Sequence, residues 1–411
     1  MAILDPLLKN MVRSGSLRVI DWHGKSVVYG DGTGSPITVR IHSAMAGLRM
    51  ALDPQLAVGE CYMDGLLTVE QGTLYDLLDL TFRQIGMRPI SYPLSGLAMC
   101  LRKALRRFQQ FNPVGRSEAN VAHHYDLSDT LYDLFLDSDR QYSCGYVLSP
   151  DDTLEQIQAQ KKTHIAAKLC IKQGHKLLDI GSGWGGLGLY LAQFYKLDVT
   201  GLTLSEEQFR VSNQRAEASS LSDRVKFKKL DYRLETGVYD RIVSVGMFEH
   251  VGVNHFETYF RKIYDCMNDD GVALLHAIGR ADTSNYTNPW ISKYIFPGGY
   301  CPRLSEVTKA IEKSGLLITD IEILRLHYAE TLRLWRERFD ANRNKIRALF
   351  DERFCRMWEF YLMTSEFAFR YQGQMVFQIQ LAKKARSVPI TRNYIEAFEA
   401  SQPPAPVIAP L

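Results

Sequence analysis

Residues 177–192 read LLDIGSGWGGLGLYLA. The apolar run before Gly181, broken only by Asp179, is a buried strand; GLGLYLAQFYK after the glycines is a helix. Between them Gly181-Ser182-Gly183-Trp184-Gly185-Gly186 fits G-x-G-x-x-G, in which glycines let the backbone turn sharply and approach a ligand. Working outward, LDVTGLTLS, VKFKKLDY, DRIVSVGMFEHV and GVALLHAIG read as further strands, with EEQFRVSNQRAEAS and FETYFRKIYDCMN as helices among them. Strands alternating with helices predict an α/β fold with a doubly wound, mostly parallel, Rossmann-like sheet that takes ligands at the carboxyl ends of its strands.

The chain has 411 residues, 46% of them hydrophobic, enough for two domains with proper cores. Residues 1–95, with strands in SLRVIDW, VVYG and ITVRIH, read as a small N-terminal α+β domain. Residues 96–120 read as a basic linker containing the amphipathic segment LRKALRRF (101–108), in which Arg102, Lys103, Arg106 and Arg107 flank an apolar face. Residues 121–390 form the larger domain, whose stretch from TLRLWRERF to QLAKKAR reads as helical and aromatic, and residues 391–411 form a C-terminal tail. Seven scattered cysteines without paired spacing read as reduced thiols in a cytosolic protein, and no metal is implied. The first twenty residues do not resemble a secretory leader. No apolar run approaches the ~20 residues of a membrane span. A net charge of +3 with no basic stripe or zinc-finger spacing excludes nucleic acid as the expected partner.

A dinucleotide site wants an acidic residue at the tip of the second strand to hold a ribose. Here that strand ends Gly201-Leu202-Thr203, and the acid, Asp179, ends the first strand instead. This arrangement fits S-adenosylmethionine better than a nicotinamide. Asp231-Tyr232, after the third strand, offers a carboxylate for an adenine amine or an ordinary cap for the next turn.

Together YDLSDTLYDLFLDSDRQYSCGY (125–146), LDIGSGWGG, GLTLSEEQ, GMFEHVG (246–252), LLHAIG (274–279), YIFPGGYCP (294–302) and HYAETLRLW (327–335) resemble the cyclopropane-fatty-acyl-phospholipid and mycolic acid cyclopropane synthases over about 120–385. LAVGECYMDG (56–65) resembles the extra domain of the phospholipid-acting branch. The resemblance implies an S-adenosylmethionine pocket lined by Tyr142, Ser143, Gly181, Gly183, Thr203, Leu204, Gln208, Asp231 and Tyr232, with Thr203 and Gln208 in place of the missing ribose acid. It also implies a bicarbonate ion held as base by Cys144, Glu249, His276, Ile278 and Tyr328. Taken one at a time, four of these five have a structural reading: a hydrogen-bonded histidine at a strand end, a loop glutamate, a buried thiol, a packed tyrosine ring.

The implied chemistry explains why such residues are needed. An isolated double bond is a weak nucleophile and needs a sulfonium methyl. Attack leaves a carbocation, so the site must exclude water, face the charge with aromatic rings and keep one base beside the methyl. The resemblance further implies an unsaturated membrane phospholipid as substrate, met by peripheral contact at the cytoplasmic face of the inner membrane, and a homodimer. A methyltransferase leaving a branched or methylene product is the alternative.

Overall fold

The computed structural model describes residues 3–87, 129–281 and 286–402, which fall into two units. The whole of the 96–120 linker expectation, with its basic segment 101–108, and the last residues of the tail, 403–411, lie outside the described residues.

The smaller unit takes in residues 1–109, 282–297 and 335–374. Its strands β1 (Leu17–Ile20), β2 (Ser26–Tyr29), β3 (Ile37–Ile41) and β4 (Leu67–Gln71) form one sheet in the order β2-β1-β3-β4. This α+β unit is larger than residues 1–95, because the aromatic stripe of helix Glu352–Tyr371 needs apolar partners and finds them among the early helices. Phe360 lies 6.1 Å from Tyr62 and 4.9 Å from Trp290, and Phe367 lies 4.7 Å from Tyr75, ring centre to ring centre. The fit leaves no slack, since a Cβ on Gly59 would stand 2.5 Å from the Trp290 indole nitrogen.

The larger unit takes in residues 110–281, 298–334 and 375–411. Its strands are β5 (Lys176–Ile180), β6 (Asp198–Thr203), β7 (Val225–Lys229), β8 (Tyr239–Val245), β9 (Met267–Arg280), β10 (Leu317–Leu324) and β11 (Gln374–Ala382). They lie in the order β10-β11-β9-β8-β5-β6-β7. The pairs β5/β6, β6/β7, β5/β8 and β8/β9 are parallel, and β10/β11 is antiparallel. The chain runs outward from β5 through β6 to β7, then returns to β8 on the other side of β5. That reversal opens a crevice at the carboxyl ends of β5 and β8.

Two sequence expectations are corrected. The stretch expected to be helical as far as QLAKKAR ends in strand β11, whose Gln378 and Gln380 are buried yet bonded, the first to His276 and the second to the Lys168 carbonyl and, at 2.7 Å, to the Tyr394 hydroxyl. Those bonds allow an alternating strand to carry glutamines inside, which hydropathy alone does not reveal. Part of the expected tail is a docked helix, Asn393–Ser401, with Ile395 buried and Glu399 Oε1 2.6 Å from His164 Nδ1.

Candidate functional site

The glycine loop leaves β5 with Gly181, Gly183 and Gly185 all at positive φ, 85°, 55° and 85°. The amides of Gly181 and Ser182 both donate to the Leu202 carbonyl, at 2.9 and 2.8 Å, which pins the loop to the end of β6. Beneath it Asp139, wholly buried, accepts from Lys162 and Arg215, and Arg215 also donates to the Trp184 carbonyl at 2.8 Å. A buried carboxylate with two cationic donors is a rigid support, because removing either cation would strand its charge.

A cavity opens above this loop, and all nine expected cofactor residues line it: Tyr142, Ser143, Gly181, Gly183, Thr203, Leu204, Gln208, Asp231 and Tyr232. Thr203 Oγ1 donates to Gln208 Oε1 at 2.8 Å, so the two residues at the β6 tip form one polar edge. Asp231 serves its own turn, accepting the Arg233 amide at 2.9 Å and gripping the Arg233 guanidinium through both oxygens at 2.8 and 2.6 Å. It is thus a cap as well as a cavity residue. Asp179 also lines the cavity, and its Oδ2 is buried with no hydrogen-bond partner among the described residues. Burial pushes its pKa up to about 7.

Sequence reasoning missed Lys161, which lines the same cavity at 1% exposure. It lies on helix Leu154–Lys168, where twelve of fifteen residues are buried, three lysines included. Lysine on a helix without an apolar stripe reads as solvent-facing. The one available signal is the density of glutamine, lysine and histidine in QAQKKTH.

None of the five residues expected around a base lines this cavity. They lie on two separate stretches of the same unit. Glu249, in the turn after β8, accepts the Ile278 amide on Oε1 at 2.6 Å. Its Oε2 is buried without a partner among the described residues, and burial pushes its pKa up to about 7. His276 sits two residues before Ile278 on β9, opposite Val245 in the β8/β9 register. Burial, followed by nearby cations beginning with Lys161, holds its imidazole neutral well below the usual range. Gln378 Nε2 lies 3.2 Å from its Nδ1.

Cys144 lies in a segment tied to the helix that carries Tyr328. The Gly145 amide donates to Thr331 Oγ1 at 3.0 Å and the Val147 amide to His327 Nδ1 at 2.9 Å, which ties the Cys144 segment to the first turns of helix His327–Ala341. Burial pushes the Cys144 thiol up, so it is not a nucleophile.

Comparison with known proteins agrees with this fold. Residues 114–379 match the family described as mycolic acid cyclopropane synthetase, and residues 3–87 match a domain of unknown function. The chain is 40% identical over 271 residues to a probable fatty acid methyltransferase of Pseudomonas putida, covering 64% of this chain and 68% of that one. It is 34% identical over 350 residues to the cyclopropane-fatty-acyl-phospholipid synthase of Escherichia coli K12, covering 85% and 88%. A mycolic acid cyclopropane synthase solved in complex with SAH and CTAB superposes with a TM-score of 0.61 at 31% identity, over 66% of this chain and 99% of that one. The chain belongs to the mycolic acid cyclopropane synthetase family and is an S-adenosylmethionine-dependent methyltransferase.

Proposed function

We propose that the protein transfers the methyl of S-adenosylmethionine to a cis double bond in an unsaturated phospholipid acyl chain and closes a cyclopropane ring, with bicarbonate as base. The observation that carries this reading is the Glu249 carboxyl, buried, bonded on one oxygen and unpartnered on the other. A carboxyl whose pKa is raised to about 7 keeps a proton to give to an anion. Neutral His276, with Gln378 at its Nδ1, keeps Nε2 for a second contact. The donor set therefore suits a small anion, with Tyr328 and the backbone near Cys144 and Ile278 completing it.

When bound, S-adenosylmethionine supplies a sulfonium methyl electrophilic enough for an isolated alkene, and bicarbonate a weak base that forms no lasting ester. Overall the lipid gains one methylene, the cofactor leaves as S-adenosylhomocysteine and one proton is released. The chain's own part is to hold the cofactor on the glycine loop, to keep Glu249 and His276 neutral by burial, and to exclude water. In the same proposal residues 101–108 contact an anionic bilayer peripherally at the cytoplasmic face of the inner membrane, and the enzyme works as a homodimer. Among the described residues no helix is long and apolar enough to cross a membrane.

The test is turnover on unsaturated phospholipid vesicles in carbonate-free buffer. Activity falls and returns on adding bicarbonate, whereas full activity without it assigns the proton to a side chain. A second reading is favoured by the 40% identity to a probable fatty acid methyltransferase: a branched chain as product. Proton NMR of the lipid separates the two, since a chain whose cation loses a different proton has the mass of the ring but keeps a double bond, whereas a saturated branch would need an added hydride donor.

A further inference from the structure

Helix Leu154–Lys168 buries Lys161, Lys162 and Lys168 almost completely. Two of them have acids. Lys162 Nζ lies 2.5 Å from Asp139 Oδ2, and Lys168 is paired with Glu322 and, at 3.5 Å, with Asp320. Lys161 has no carboxylate partner among the described residues. Its Nζ donates to two uncharged oxygens, Gln141 Oε1 at 2.8 Å and Ser143 Oγ at 2.7 Å. An ammonium carries three donors, so one N–H is left without a protein acceptor at 1% exposure. Burial of an unpaired ammonium is unfavourable, because no opposite charge offsets its lost hydration. That cost pulls its pKa down to about 7.

The same cavity holds the opposite imbalance. Asp179 Oδ2 is buried and unpartnered, and no ion pair joins Asp179 to Lys161. An unfilled N–H on Lys161 and an unfilled carboxyl oxygen on Asp179 beside one glycine loop suit a ligand bearing both signs at one end. The methionyl end of S-adenosylmethionine is such a ligand, with an α-carboxylate and an α-ammonium.

We propose that Lys161 is a binding residue that grips the α-carboxylate of the cofactor through its third N–H, with Gln141 and Ser143 aiming the ammonium, while Asp179 receives the α-ammonium. This rests on placing the cofactor in the cavity above Gly181 and not on ring closure, so the two readings fail separately. The geometry gives Lys161 a reason to be buried: the ligand, rather than the protein, completes its charge.

The test is calorimetric titration with two ligands, S-adenosylhomocysteine and its decarboxylated analogue, which keeps the ammonium. Wild-type protein prefers S-adenosylhomocysteine by at least about tenfold, the usual worth of a hydrogen bond between charged groups. In Lys161→Met that preference collapses to within about threefold, because only the carboxylate-bearing ligand loses affinity. Asp179→Asn weakens both ligands alike. Equal loss of both ligands in Lys161→Met assigns the lysine a structural role and overturns the proposal. Absence of any preference in the wild type overturns it without a variant, so a poorly folding Lys161→Met does not shield the idea.

Discussion

Gly183 and Gly185 stand two positions apart with left-handed backbones, yet a side chain at each would meet different things. At Gly183 a Cβ meets nothing within 4 Å and enters the cofactor cavity, while at Gly185 it lies 2.6 Å from Phe227 Cζ and 3.0 Å from Ser212 Cβ. Gly183→Val therefore abolishes S-adenosylhomocysteine binding at a strain cost of about 1–3 kcal/mol. Gly185→Ala loses about that much again through overpacking. Calorimetry and urea unfolding on both variants separate the outcomes. Glu249 supplies a pH signature. Its pKa rises from 4.5 to about 7 on folding, so the unfolded chain sheds its proton first. Stability therefore falls as pH climbs from about 4.5 to about 7, by an amount on the order of 3 kcal/mol, and the loss is complete above that. Glu249→Gln flattens this slope relative to wild type; parallel stability curves across those pH values would contradict it. Residues at strand tips and in the glycine loop were legible in the sequence because turn chemistry and strand ends mark them locally. Lys161 was not, since its burial is made by the Gln141 and Ser143 partners that the fold brings to it.

At the scale of elements, the segment 141–147 carries both Ser143, which lines the cavity, and Cys144, one of the residues proposed around the base, and its docking sets both. Gln158 Nε2 holds the Ser143 carbonyl at 2.9 Å, Ile157 leaves no room for a Cβ on Gly145, and Thr331, fully buried, holds the Gly145 amide. Thr331→Val removes that acceptor and leaves a buried N–H unpaired, a loss of about 1–3 kcal/mol in urea unfolding. Because Thr331 lies on the Cys144 side, kcat drops more than the affinity for S-adenosylhomocysteine; an equal drop would mean that the segment moves as a whole. The parallel strands β5 to β9 were readable as apolar runs between helices. The antiparallel edge was not: β10 leaves Leu317, Ile318, Ile321 and Ile323 substantially exposed, and β11 hides glutamines, so neither shows the expected alternation of burial.

At the scale of the whole molecule, composition marks a break near residues 96–120, but local patterning cannot show that residues 282–297 and 335–374 belong with the N-terminal helices. The apolar faces of Phe360 and Phe367 find partners far away in sequence, in Tyr62, Tyr75 and Phe82, and Phe360 also meets Trp290. Deleting residues 1–87 uncovers those rings, so the truncated protein elutes as aggregate in size-exclusion chromatography; a monodisperse product would show that helix Glu352–Tyr371 needs no cover. The interleaved order also bears on synthesis. Phe82 leaves the ribosome roughly 300 residues before Phe367, which at ~5–20 residues per second is a wait of roughly 15–60 s. During that interval the early helices, Pro54–Met63 and Leu74–Ile85, present bare apolar faces to the cytosol. The nascent chain is therefore a client for holdase chaperones, and its yield responds to their supply more than the finished protein's stability would indicate.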